Sequence, residues 1–128
     1  MVTALYAVIL AGLLIGLAVQ VIKQRRRHQV KYMDGGVNAL TLARSAQGNA
    51  AEYIPITLIL IGFAEFNGAN VWWLHATGIA FILGRLLHAK AILNDQLKGR
   101  ITGMKLTFSV MIILMVLNLI YLPYGKLF

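Results

Sequence analysis

Three ionisable residues, Glu52, Arg85 and His88, lie in stretches that are otherwise apolar. Their spacing groups them with other polar side chains. In Arg44-Ser-Ala-Gln47-Gly-Asn49-Ala-Ala-Glu52-Tyr53-Ile-Pro55, Asn49 and Glu52 are three residues apart and share a helix face. Arg44 precedes Glu52 by two turns, on roughly the same side. Arg85 and His88 are likewise three apart, in a second apolar stretch. Two polar pairs on two apolar helices predict one buried site that brings arginine, glutamate, asparagine and histidine together. Inside a bilayer, each ionised group costs about 2.5–3.5 kcal/mol or more on insertion scales, so such groups turn inward, pair, and mark functional sites. The alternative at this point is an ion pair between Glu52 and Arg85 that only locks two helices together. His88 taken alone reads as a hydrogen-bonded core residue.

Other chemistries find little support. No metal site is expected, because His28 and His75 are far from His88 in sequence and the chain has no thiolate. Ser45 and Ser109 lack a nucleophile motif. Glu65, Asn67 and Asn70 fall in a short turn and read as solvated.

The elements that must hold these residues are membrane spans. The chain has 128 residues, 59% apolar, 12% charged and without cysteine, and its mean hydropathy is +0.75. A soluble domain is about 45–50% apolar and about 25% charged. A span needs about 20 mostly apolar residues, so four use about 80 and leave no room for a second domain. A soluble enzyme, a disordered chain and a disulfide-stapled secreted domain are all excluded. One integral-membrane domain, 1–128, is expected, with spans at about 2–22, 46–64, 71–92 and 106–122.

The first span, Val2 to Ile22, is uncharged, and its charges follow it, unlike those of a signal peptide. Gly12 and Gly16 form a GxxxG pair, read as ordinary close helix packing. The second span is harder to place, because only 12 residues separate Glu52 from Glu65; starting at Ala46 puts Glu52 inside it. Pro55 frees the carbonyl of Ala51 and predicts a kink beside Glu52. Asp34-Gly35-Gly36 supplies turn chemistry, and Asn38 is the expected cap of the next helix. Trp72, Trp73, Tyr121 and Tyr124 read as interfacial belt residues.

The net charge of +8 is unevenly spread. The first loop and the start of span two hold Lys23, Arg25, Arg26, Arg27, Lys31 and Arg44, and the third loop holds Lys90, Lys98, Arg100 and Lys105. Only Lys126 lies on the other side. This asymmetry predicts both termini on the non-cytoplasmic side, and the basic run is then a topology anchor. No nucleic-acid partner is expected, since no soluble module carries the charge.

The Arg-Ser-Ala-Gln-Gly-Asn-Ala-Ala-Glu-Tyr-Ile-Pro stretch, followed by Gly-Arg85-Leu-Leu-His88 on the next span, resembles the family of membrane-associated proteins in eicosanoid and glutathione metabolism (MAPEG). The resemblance covers essentially the whole chain and points to the small bacterial branch. It implies an all-α membrane protein, a left-handed four-transmembrane-helix bundle that assembles as a homotrimer. It also implies glutathione as co-substrate, bound between subunits near the cytoplasmic side of a bacterial inner membrane. Carried over by position, Arg44, Asn49, Glu52, Arg85 and His88 would line the glutathione site. Arg100 would be the catalytic arginine beside the sulfur.

The implied activity is that of a glutathione transferase or peroxidase acting on a lipophilic small molecule that arrives through the lipid bilayer. Glutathione carries two carboxylates and an ammonium, which suit arginine forks and Glu52. A neighbouring arginine favours the nucleophilic thiolate. Transferases of the family often carry a tyrosine one turn past the Arg-x-x-His pair, where this chain has Ile92. That difference motivates the alternative of a non-catalytic membrane protein with the same fold. A small multidrug exporter fits less well, because the first span carries no acid.

Overall fold

The computed structural model describes residues 1–127. It is all-helical: α1 (Val2–His28), α2 (Asn38–Phe66), α3 (Val71–Leu93) and α4 (Leu97–Ile120), then a short 3-10 turn at Tyr124–Lys126. All four long helices are long and apolar enough to cross a membrane. They contain 27, 29, 23 and 24 residues. At about 1.5 Å per residue, each exceeds the ~30 Å hydrocarbon core. Basic and amide-bearing ends therefore project beyond the lipid, and α2 and α4 begin about two turns before the spans expected at 46 and 106.

Local chemistry sets the ends. The last turn of α1 carries Arg25, Arg26, Arg27 and His28 against the negative end of the helix dipole. Gln29 then turns left-handed at φ 55°, and its N–H bonds the Arg25 carbonyl. Asn38 is the first residue of α2 and not its cap; Val37 holds that position without a side-chain bond. Asn70, expected to be merely solvated, caps α3 by accepting the Trp72 N–H at 2.9 Å.

Each α2 residue expected to disturb the helix is accommodated on its outer side. The helix runs unbroken through Pro55, and Ala51, Glu52 and Pro55 are all exposed. The core lies on the opposite side, where Ile54 and Ile61 meet Leu10 and Leu17 of α1, Phe81 of α3, and Val110 and Leu114 of α4. Helices α3 and α4 pack most extensively, whereas α1 contacts α2 and α3 but not α4.

Three glycines, Gly78, Gly99 and Gly103, permit close approach. A Cβ on Gly103 of α4 would lie 2.7 Å from the His88 Cβ and 2.8 Å from the His88 backbone nitrogen. A Cβ on Gly78 would lie 2.5 Å from the Tyr6 ring. Gly12 and Gly16, expected to pack closely, meet nothing within 4 Å and face outward. The GxxxG pair that packs inside the chain is Gly99–Gly103.

Candidate functional site

Arg85 is the largest side chain in the bundle with almost no exposure, at 2%. Gly84 before it packs against Leu106, and Phe81 one turn earlier is fully buried, so the register of α3 drives Arg85 into the interior. There its Nη1 donates to Asn49 Oδ1 at 2.7 Å and its Nη2 to Met104 Sδ at 3.7 Å. Its Cζ lies 5.7 Å from the centre of the Tyr53 ring. Tyr53 is itself set by an edge-to-face contact with Phe108, at 5.6 Å between ring centres. Arg85 Nε is buried without a hydrogen-bond partner among the described residues.

His88, one turn on, is also 2% exposed, and its Nε2 is buried without a partner among the described residues. It is therefore not the satisfied core histidine that its position suggested. Arg100 stands exposed in the first turn of α4, lining a cleft of about 120 Å³ with Ser45, Ile92, Asp95 and Gln96.

Of the expected group, Asn49 and Arg85 meet directly and His88 joins them on the same buried face. Glu52 does not. It is exposed on the outer side of α2, and the Arg85 guanidinium binds a neutral amide instead. The geometric reason is angular: Asn49 is only half-buried, at the edge of the inner wall, and Glu52 lies about 60° further round the helix, enough to carry it to the outer side. The alternative ion pair between Glu52 and Arg85 is absent among the described residues. Arg44 is half-buried, and its charge acts on Asp34 of the preceding loop.

Three participants were not singled out from the sequence. Tyr53 follows Asn49 by four residues, a helical spacing that would have marked it. The Gly99-x-x-x-Gly103 pair was equally visible. Met104 carried no signal, since a thioether on an apolar helix reads as packing. At the other end of the bundle, Glu65 is not a solvated turn residue. Its carboxylate accepts the Val2 N–H, the Thr3 N–H at 2.8 Å and the Thr3 hydroxyl. Nearby, the buried Tyr6 hydroxyl hydrogen-bonds His75 Nδ1 at 2.7 Å.

The model of the MAPEG family matches residues 3–120. The chain belongs to the MAPEG family. It is also 39% identical over 128 residues to the inner membrane protein YecN of Escherichia coli strain K12, covering all of this chain and 98% of that protein. The same identity and coverage hold for YecN of an Escherichia coli O6:H1 strain. This MAPEG chain thus carries a buried arginine without a carboxylate partner among the described residues, with a second arginine lining a cleft at the start of α4.

Proposed function

We propose that the protein is an integral inner-membrane protein that binds glutathione between copies of itself and activates its thiol for reaction with lipophilic electrophiles. The observation that carries this reading is the environment of Arg85. A buried guanidinium with an amide, a thioether and an aromatic ring for neighbours, but no carboxylate, is an uncompensated charge. Burial of that kind is costly until an anion arrives, and a glutathione carboxylate would answer it by pairing with the guanidinium fork.

The remaining groups take complementary parts. Glu52, with Arg44, lies along α2 where an adjoining copy in a homotrimer would complete the site, and its carboxylate suits the glutathione ammonium. Asn49 holds Arg85, and His88 Nε2 offers one further polar contact. Arg100 stands where a sulfur in the cleft with Ser45 and Ile92 would meet a cation, which favours thiolate over thiol. The thiolate then attacks an electrophilic carbon, a carbon–sulfur bond forms, and the leaving group departs with its electron pair. The thiol proton is released to solvent. Because the basic loops are the cytoplasmic ones by the charge rule, glutathione enters from the cytoplasm and both termini lie opposite.

Ile92 is the observation that favours a second reading, binding without chemistry. Its apolar side chain lines the cleft where a tyrosine hydroxyl would otherwise face the sulfur. Ultraviolet difference absorbance of the detergent-solubilised protein, titrated with glutathione at neutral pH, separates the readings. A thiolate band is expected, since an unperturbed thiol has a pKa of about 8.5. Arg85→Ala and Glu52→Ala should remove binding, and Arg100→Ala should leave binding but lose the band. Binding without a thiolate would select the non-catalytic reading, and no binding would overturn both.

A further inference from the structure

At the end of the bundle that carries the basic loops, α1, α2 and the last turn of α3 border an open cavity of about 350 Å³. Its polar wall is made of carboxamides: Gln20 and Gln24, one turn apart on α1, and Asn38, the first residue of α2. Leu42, Ala43 and Leu93 form the apolar wall. None of these residues belongs to the Arg85 group, and only Leu42 is shared with the Arg100 cleft, so the two sites adjoin but are lined by different polar groups.

Three observations define what fits. Gln24 Oε1 is buried without a hydrogen-bond partner among the described residues, so a donor in the cavity would satisfy it once the Gln24 side chain rotates toward the open space. The uncharged run of α1 ends at Ile22, which places Gln24 at the depth of lipid headgroups, just past the hydrocarbon. Lys23 and Arg27, each three residues beyond a cavity glutamine, are exposed, so the rim is cationic. The one acid of that loop, Asp34, is engaged by the Gly36 N–H and the Thr41 hydroxyl. A ligand meeting all three has an anionic group, a hydroxyl donor and an apolar continuation into the bilayer.

We propose that this cavity is a binding site for an anionic glycerophospholipid with a hydroxyl-bearing headgroup, of the phosphatidylglycerol type. The phosphodiester faces Lys23 and Arg27, a headgroup hydroxyl donates to Gln24 Oε1 after that side chain rotates into the cavity, and the acyl chains leave past Leu42 and Leu93. A volume of this size takes a polar headgroup, which a single water would not fill. Basic pockets between spans on the cytoplasmic side are recurrent sites for anionic lipids.

The test is native mass spectrometry of the purified protein with equimolar phosphatidylglycerol, phosphatidylethanolamine and phosphatidylcholine of identical acyl chains. Phosphatidylglycerol should be retained about tenfold over phosphatidylcholine, the scale expected of one or two nearby cations. Gln24→Leu should bring it down to the phosphatidylcholine level, as should Ala39→Trp, which fills the cavity from its α2 wall. Lys98→Gln, in the other basic loop, should leave retention unchanged. Elution volume and helicity identify a variant that fails to fold, in which case the other decides. Equal retention of phosphatidylglycerol and phosphatidylethanolamine would overturn recognition of the charge. Full retention by both folded cavity variants would overturn the site. Displacement by glycerol 1-phosphate as effective as by phosphatidylglycerol would overturn a lipid, in favour of a soluble phosphate.

Discussion

A Cβ placed on Gly103 meets the Cβ and backbone of His88 below 3 Å, and neither is the free end of a flexible side chain. Gly103→Ala therefore has to push α4 away from α3 where Arg85 and Met104 meet. The expected cost is about 1–3 kcal/mol, the usual range for overpacking a filled interior, read as a lower thermal midpoint in detergent. Gly12→Ala is the contrast. Nothing lies within 4 Å of that position, and alanine is the better helix former by up to about 1 kcal/mol, so stability within the chain should hold or rise slightly. Tyr6→Phe removes the bond to His75 from a buried hydroxyl. It should cost roughly 1 kcal/mol in the same measurement. Arg85, Asn49 and His88 were legible in the sequence because polar residues in apolar helices announce themselves. Their neighbours Met104 and Gly103 were not, because a thioether and a glycine on an apolar helix have several uses and only the packing selects among them.

At the level of elements, the ends of the helices carry the information that hydropathy does not. Glu65, in the last turn of α2, caps the start of α1 by accepting two backbone N–H groups and a hydroxyl. Glu65→Gln halves its acceptor capacity and removes the charge facing the positive end of α1. A loss of about 1–2 kcal/mol is expected, with faster hydrogen exchange confined to the first turn of α1. The loop between α1 and α2 makes a pH-dependent contribution. The Gly36 N–H, then the Thr41 hydroxyl, hold the Asp34 carboxyl below the usual carboxylate range. An acid whose folded pKa is depressed stabilises the fold above its ordinary pKa and loses that contribution as the pH falls through the depressed value. Comparing the wild type with Asp34→Asn across the acid range should show their difference vanish at the low end. The four spans were readable from length and composition. Their ends were not, since α2 and α4 start in polar sequence that a hydropathy criterion assigns to loops. The clasp at Glu65 was hidden for another reason, as its partner lies 62 residues away.

For the whole molecule, the decisive contrast is between an inner Arg85 and an outer Glu52. An acid on the outside of a membrane-spanning helix is unfavourable against lipid, and the proposed homotrimer would remove the conflict by covering this face of α2. Because the chain has no cysteine, single replacements report without background. Glu52→Cys should cross-link between copies with a short bifunctional maleimide, while Ile112→Cys, in the apolar groove beside Trp73, should not. Equal cross-linking at both positions would count against a covered α2 face.

The clasp on α1 also has a consequence in time. Thr3 is made 62 residues before Glu65, and Tyr6 is made 69 before His75. At about 5–20 residues per second, Thr3 and Tyr6 leave the translating ribosome several seconds before their partners do. During that interval the helix has to reside in the bilayer unassisted, and its uncharged run from Val2 to Ile22 is long enough for that. Anchoring therefore precedes fastening: the basic run fixes which way the helix lies, and the second hairpin, arriving later, closes onto a helix whose orientation is already decided.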